Sequence, residues 1–74
     1  MTSAMEIFKL EGHEYIELNN LLKVIGFVDS GGLAKTLIAE GMVTVDGEVE
    51  LRKRCKIRPQ QIVEFQRQQV KVIS

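Results

Sequence analysis

The sequence has one cysteine, one histidine and one proline, and it has no tryptophan. Cys55 alone cannot form an internal disulfide, and without a second cysteine or a histidine cluster there is no metal-ligand spacing. No apolar run approaches the roughly 18–20 residues of a membrane span, and the N-terminus lacks the basic and apolar regions of a signal peptide. These absences predict a soluble, cytoplasmic protein that binds no membrane, metal or cofactor.

Groups for catalysis are equally scarce. His13 stands in a polar stretch with no partner at the spacing of an acid–base pair, which favours an exposed turn residue. Neighbouring cations would favour the thiolate of Cys55, yet an extended backbone puts this side chain on the face of Ile57, which favours inert packing. Gly31-Gly32 lacks the lysine and hydroxyl of a P-loop. We therefore expect that the chain is not an enzyme.

The length of 74 residues is that of one domain, near the size at which a single core leaves only about 3–5 kcal/mol of net stability. With 45% hydrophobic residues, the chain can build one small core but no deep substrate cavity. We expect residues 1–74 to form a single, monomeric domain in which residues 1–4 are a flexible tail.

Charge is abundant, and it is divided unevenly. The net charge is zero, but residues 1–50 carry nine carboxylates against three lysines, a balance of −6. Residues 51–74 carry seven bases against one carboxylate, a balance of +6, and five of those bases lie within residues 52–58. A chain polarised in this way can present a strong local positive field while remaining neutral overall.

Two stretches have the spacing of short helices. In the first, roughly Glu17–Ile25, aliphatic residues recur at i, i+3, i+4 and i+7, and Gly26 follows as a stop. The second has an N-cap at Ser30 or Asp29 and a left-handed stop at Gly41. Its apolar residues, predicted to share one packed face, are Leu33, Ala34, Leu37 and Ile38.

Strand signals flank the helices. Asp46-Gly47 between alternating runs is a strong hairpin signal, and Pro59 ends a strand because proline has no ladder donor. A polar turn is expected at residues 66–69. The expected strands are Met5–Leu10, Met42–Val45, Glu48–Leu51, residues 52–58, Ile62–Phe65 and Val70–Ile73. This order predicts an α+β fold with two short helices on one side of a small antiparallel sheet.

The basic segment, residues 52–58, has two interpretations. If it is extended, side chains alternate and one face is wholly cationic. That face would carry Arg52, Arg54, Lys56 and Arg58. Four like charges at roughly 7 Å spacing, with no acidic run opposite them, are stabilised by meeting phosphates. In the alternative, the cations form a solvated edge that prevents edge-to-edge aggregation.

A set of positions between residues 18 and 49 forms a wider pattern. They are Leu18, Leu21-Leu22, Gly26, Ser30, Ala34, Leu37-Ile38, Gly41, Val43, Val45-Asp46-Gly47 and Val49. At these spacings the pattern resembles the alpha-L RNA-binding motif, also called S-four-like. Continued through residues 52–57 on a chain of this length, it is similar to small free-standing bacterial members of the family. The resemblance implies two helices packed at an angle against a small sheet and a role in binding RNA.

One position departs from the family's pattern. Many members carry an arginine directly after the serine that opens the second helix, and here Gly31-Gly32 follows Ser30. An arginine–phosphate contact is therefore not expected at this point. The bare backbone amides of the helix N-terminus can themselves bind a phosphate, and Lys35, one turn further on, can supply the charge.

We expect phosphate and shape contacts with a structured RNA of the ribosomal or transfer RNA class, because neither helix bears a row of base-reading side chains. The predicted RNA-binding residues are Lys23, Ser30, Gly31, Gly32, Lys35, Arg52, Lys53, Arg54, Lys56 and Arg58. The aromatic residues lie in apolar stretches and are predicted to be core rather than stacking platforms. They are Phe8, Tyr15, Phe27 and Phe65.

Two other functions stay open at this point. The basic face can dock on an acidic partner protein instead of RNA, which makes the chain a protein-interaction module. Modules of the alpha-L type also occur on RNA-modifying enzymes, so the chain can belong to such an enzyme or to a larger ribonucleoprotein. The catalytic domain would then lie on another chain.

Overall fold

The computed structural model describes residues 5–74, and the flexible tail predicted for residues 1–4 lies outside them. In chain order the elements are β1 (Met5–Lys9), β2 (Ile16–Glu17), α1 (Leu18–Val24), α2 (Gly31–Ala39), β3 (Val43–Val45), β4 (Glu48–Val49), β5 (Lys56–Ile57), β6 (Ile62–Phe65) and β7 (Gln68–Ile73). Both helices fall within their predicted ranges. Within the described part of the chain, no helix is long and apolar enough to cross a membrane.

Five strands form one sheet in the order β1-β7-β6-β3-β4, and β2 pairs with β5 in a separate two-stranded ladder. The predicted α+β fold is confirmed. The sheet is mixed rather than wholly antiparallel, because β1 runs parallel to β7, with Met5 opposite Gln69 and Lys9 opposite Ile73. A parallel pair needs a long connection between its strands, and here both helices and the intervening strands provide it.

Two tight turns set the register of the antiparallel strands. The predicted hairpin at Asp46-Gly47 is confirmed, with φ of 51° and 87°. The Ile62 amide donates to the Asp46 carboxylate at 2.9 Å, which ties this turn to the start of β6. The second hairpin turns at Gln66-Arg67 alone, with φ of 49° and 67°, so β7 begins at Gln68, before the predicted strand. Two left-handed central residues give a twist that matches paired strands.

The helix ends follow the predicted punctuation. Ser30 is the N-cap of α2, and its Oγ accepts a backbone hydrogen bond at 3.1 Å. Gly26 and Gly41 follow the two helices with φ of 87° and 79°. After Gly41, the Met42 amide donates to the Leu37 carbonyl at 3.1 Å, as in a Schellman motif. Both helices therefore end where glycine allows the left-handed conformation.

Both helices and the sheet contribute to one hydrophobic cluster. Its buried members are Leu10, Leu18, Leu21, Leu22, Val28, Ala34, Ile38, Val43, Ile57, Val63, Phe65, Val70 and Val72. Helix α2 contributes Ala34 and Ile38, which lie four residues apart on one face. Leu33 is 44% exposed, contrary to the prediction. The buried stripe of α2 is narrow, and Leu33 is rotated about 100° from Ala34 around the helix axis.

We expect Gly41→Ala to lower the free energy of unfolding by about 1–2 kcal/mol, because the left-handed conformation brings a Cβ too close to the backbone. The nearest side-chain atom, on Val49, lies 3.7 Å from that Cβ position, so the cost arises in the backbone rather than from a clash. Urea unfolding measures the effect.

The matched control is Gly31→Ala in the first turn of α2, where a Cβ meets no atom of residues 5–74 within 4 Å. It should raise the free energy of unfolding by about 0.4–1 kcal/mol, because alanine restricts the unfolded chain. Equal effects of the two substitutions would contradict the left-handed helix end at Gly41.

Candidate nucleic-acid interface

The basic segment, residues 52–58, is not one extended strand. Residues 52–55, hereafter the basic turn, form a turn in which the Cys55 amide donates to the Arg52 carbonyl at 3.2 Å. Only Lys56 and Ile57 then pair as β5. The predicted single row of four alternating cations is therefore wrong, because the turn reverses the backbone within the segment.

The backbone of the basic turn is anchored to the N-terminus of α1. The amides of Leu18 and Asn19 donate to the carbonyls of Cys55 and Lys53, at 2.9 and 3.1 Å. The N-cap residue Glu17 makes no side-chain cap of its own. Amides in the first turn of a helix have no partner within the helix, and here the carbonyls of the basic turn satisfy two of them.

The ladder between β2 and β5 holds the segment from its other end. Ile16 lies opposite Ile57, and Glu17 lies opposite Lys56. The side chain of Ile57 is fully buried, and Cys55 is half-buried against the core. The predicted inward packing of these two residues is confirmed, and it holds the backbone in place while the cationic side chains point to solvent.

Arg52 forms a forked ion pair with Glu50. Its Nε and Nη2 donate to the two carboxylate oxygens at 2.9 and 3.2 Å, and its backbone amide donates to the same carboxylate at 2.9 Å. The Arg52 side chain is 78% exposed and that of Glu50 is 18% exposed. These hydrogen bonds from Arg52 lower the pKa of Glu50 to about 2. Glu50 therefore stays ionised through the ordinary pH range and balances one of the cations.

A second, looser ion pair joins Arg54 to Glu17, with 3.7 Å between Nε and Oε1. Each arginine of the turn thus has a single carboxylate beside it, a pairing that the search for an acidic run opposite the segment did not predict. Lys53 is exposed and has no ion-pair partner among residues 5–74. The turn therefore combines two arginines whose charges are partly balanced with one lysine whose charge is not.

The cationic side chains of Lys56 and Arg58 both lie over the ring of Tyr15. The Lys56 Nζ lies 5.0 Å from the ring centroid and the Arg58 Cζ lies 5.7 Å from it, within the range of a cation–π contact. Tyr15 is 36% exposed, so its predicted place in the core is wrong, whereas Phe65 is buried. The two cations alternate along the backbone as predicted, and an aromatic ring lies beneath them.

The remaining predicted residues lie on the helices. Lys23 is exposed in the last turn of α1, about 6 Å along the helix axis from Asn19, whose amide donates to the basic turn. On α2, the amides of Gly31 and Gly32 donate no hydrogen bond within the described chain, and Lys35 is exposed. In residues 5–74, no hydrogen bond or ion pair joins this end of α2 to the basic segment. The predicted residues thus belong to two groups that share no polar contact among the described residues, one at the basic segment and one at the N-terminus of α2.

The thiol of Cys55 is not activated by its basic neighbours. Burial raises its pKa, and the negative charge of Glu50 raises it further, which outweighs the opposite effect of Arg52. The thiol is therefore held in its protonated form. This agrees with packing rather than with a nucleophilic or redox role.

Three parts of this arrangement were not predicted from the sequence. The β2–β5 ladder has only two residues on each strand, too few to produce a periodic pattern. The Glu50–Arg52 pair did have a signal, because side chains two residues apart lie on one face of an extended chain. The contact of Tyr15 with Lys56 and Arg58 had none.

Together, the fold and the basic segment define a small α+β domain with a cationic surface anchored to its first helix. The model of the family described as "S4 domain" matches residues 8–73 of this chain. The chain belongs to the S4 domain family.

Two curated relatives and one solved structure are similar over nearly the whole chain. The Escherichia coli (strain K12) protein named "Putative RNA-binding protein YbcJ" is 50% identical over 70 residues, which cover 95% of this chain and 100% of that one. YbcJ of Shigella flexneri has the same identity and coverage. The solution structure of E. coli YbcJ matches this structure with a TM-score of 0.75 and a sequence identity of 49%. The match covers 100% of this chain and 94% of the YbcJ chain. That structure is described as revealing an alfaL motif involved in RNA-binding, so the resemblance to the alpha-L motif is confirmed.

The Glu50–Arg52 pair predicts how stability depends on pH. The pKa of Glu50 in the folded chain, about 2, lies below its ordinary value of 4.5. The pair therefore stabilises the fold fully above about 4.5, and this contribution is lost as the pH falls towards about 2. In thermal unfolding, Glu50→Gln should be less stable than the natural chain at pH 7, and the difference should vanish near pH 2.

The control is Glu48→Gln, which removes an exposed carboxylate of β4 that has no ion-pair partner among the described residues. It should reproduce neither the loss at pH 7 nor its disappearance in acid. A gap between Glu50→Gln and the natural chain that stays constant down to pH 2 would rule out the ion pair as its source.

Proposed function

We propose that this protein is a non-catalytic RNA-binding protein that recognises a structured RNA, of the ribosomal or transfer RNA class, through phosphate and shape contacts. The observation that carries the proposal is the anchored basic segment. Its backbone is held by α1 and by β2, while its five cationic side chains are exposed. The name of E. coli YbcJ and the description of its solution structure both point to RNA binding and support the same function.

Anchoring favours binding because little backbone entropy is lost when a ligand arrives. A flexible basic segment would have to be ordered by the RNA, at roughly 1–2 kcal/mol per residue for the backbone alone. Here hydrogen bonds to Leu18 and Asn19 and the burial of Ile57 order the segment beforehand. Preorganisation of this kind raises affinity without new contacts.

The cations of the segment have different tasks in this proposal. Lys53, Lys56 and Arg58 have no carboxylate partner among the described residues and serve as the main phosphate contacts. Arg52 uses Nε and Nη2 for Glu50, but a guanidinium has five donors, so Nη1 can still bind a phosphate. Arg54, whose ion pair is long, can turn from its carboxylate to the RNA.

The N-terminus of α2 provides a second contact in this proposal. The free amides of Gly31 and Gly32, together with Lys35, receive one phosphate group, and Ser30 holds the first turn of the helix in place. Lys23 is a flanking contact at the end of α1. The two groups of residues then touch separate phosphates of one folded RNA.

The polar side chains of α2 favour recognition of RNA shape over reading of DNA bases. Lys35, Thr36 and Glu40 are the polar side chains within and directly after the helix. The Thr36 hydroxyl donates to the Gly32 carbonyl at 3.2 Å and so is engaged by the backbone. A recognition helix for the DNA major groove needs several side chains that reach base edges. Double-stranded RNA is bound mostly through its shape, phosphates and 2′-hydroxyls.

We expect RNA binding to depend steeply on salt. If about four phosphates are contacted, the slope of log K against log salt should be −3 to −4, roughly a hundredfold weakening between 50 and 200 mM salt. Lys53→Glu/Lys56→Glu should reduce the slope by about 2 and weaken binding. Titrations against ribosomal and transfer RNA fragments at the two salt concentrations measure both effects. These lysines are better targets than Arg52 and Arg54, whose reversal would also break the ion pairs with Glu50 and Glu17.

The matched control is Lys9→Glu/Arg67→Glu, which changes the net charge equally at exposed positions on β1 and on the turn between β6 and β7. It should bind RNA nearly as well as the natural chain. Equal loss in both double variants, or equal affinity for heparin and for every RNA, would make the basic surface a general polyanion binder. Binding to an acidic protein but to no RNA would instead establish the protein-interaction function, and co-purification with a catalytic chain would place the protein in an RNA-modifying enzyme.

A further inference from the structure

A cleft of about 550 Å³ lies directly beside the basic segment. It is lined by Phe8, Leu10, His13, Tyr15, Ile16, Glu17 and Asn20. Its described lining includes no lysine or arginine, whereas Lys56 and Arg58 lie over the ring of Tyr15. Tyr15 therefore belongs both to a cleft wall that also carries the Glu17 carboxylate and to the cationic surface next to it.

The cleft and the neighbouring cations match the two parts of a nucleotide. A base is a flat aromatic ring with polar edges, and it stacks on tyrosine whatever its identity. The cleft is lined by the aromatic residues Tyr15 and Phe8, on which a base can stack, and by His13 and Asn20, whose side chains can form hydrogen bonds to a base edge. The phosphate beside that base would meet Lys56 and Arg58. The volume is within the range of roughly 300–1,000 Å³ typical of small-molecule sites.

We propose that this cleft receives one unpaired base of the bound RNA, stacked on Tyr15, while Lys56 and Arg58 hold the adjacent phosphate. The proposal rests on the RNA-binding function proposed above and adds the structural class of RNA, a stem interrupted by a bulged or looped-out nucleotide. A continuous stem offers no base to the cleft, because its bases are stacked and paired inside the helix. The cleft therefore selects among structured RNAs, whereas the phosphate contacts do not.

The test uses the full chain and two RNA hairpins that share one stem, one fully paired and one with a single bulged 2-aminopurine. The natural chain should bind the bulged hairpin at least about 5-fold more tightly, since base–aromatic stacking contributes about 1–3 kcal/mol. The fluorescence of 2-aminopurine should fall on binding as the base stacks. Tyr15→Phe, which retains the ring, should preserve both effects.

Tyr15→Leu keeps apolar bulk but removes the ring, and it should abolish the preference and the fluorescence change. Its affinity for the fully paired hairpin should stay within about 2-fold of the natural chain, because the lysines and arginines remain. Circular dichroism verifies the fold of each variant. Should Tyr15→Leu fail to fold, the preference and the fluorescence of the natural chain decide the question by themselves.

The outcomes separate the two proposals. Tight, salt-dependent binding of both hairpins with equal affinity, or a preference that survives in Tyr15→Leu, overturns the base cleft and leaves the proposed function standing. Absence of binding to either hairpin and to the RNA fragments overturns the proposed function and the cleft with it.

Discussion

The backbone amides at the start of α1 are the constraint on which the candidate interface depends. Leu18 and Asn19 cannot find partners within their own helix, and Glu17 makes no side-chain cap. The carbonyls of Lys53 and Cys55, from a distant part of the chain, accept both hydrogen bonds. One set of backbone groups therefore completes the helix and holds the basic turn, and the side chains of that turn remain free for other contacts.

This anchoring divides the cations of the basic segment by their surroundings. Arg52 and Arg54 face the carboxylates of Glu50 and Glu17, and these pairs reduce repulsion within a crowded group of like charges. Lys56 and Arg58 share the ring of Tyr15. A chain of zero net charge thus carries a local positive surface in which two carboxylates balance part of the charge.

Local features of the fold were predictable because they depend on neighbours in sequence. Side-chain and backbone properties over a few residues are enough to predict three kinds of feature. These are the cap at Ser30, the left-handed helix ends at Gly26 and Gly41, and the hairpin at Asp46-Gly47. The position of the turn at Gln66-Arg67 was predicted correctly, but the predicted turn, residues 66–69, was too long, because glutamine and arginine carry no strong turn preference. Each of these features is decided within one turn of the backbone.

The sequence by itself determined the α+β class, the helix boundaries, the concentration of positive charge in residues 52–58 and the resemblance to the alpha-L family. Only the tertiary structure decided that β1 runs parallel to β7, that the basic segment turns instead of extending, and that Tyr15 lies at the surface beneath two cations. The physical reason is the distance along the sequence between the groups that interact. Periodicity and capping report on neighbours along the chain, whereas the amides of α1, the carbonyls of residues 53 and 55 and the ring of Tyr15 meet only after the chain has folded back on itself.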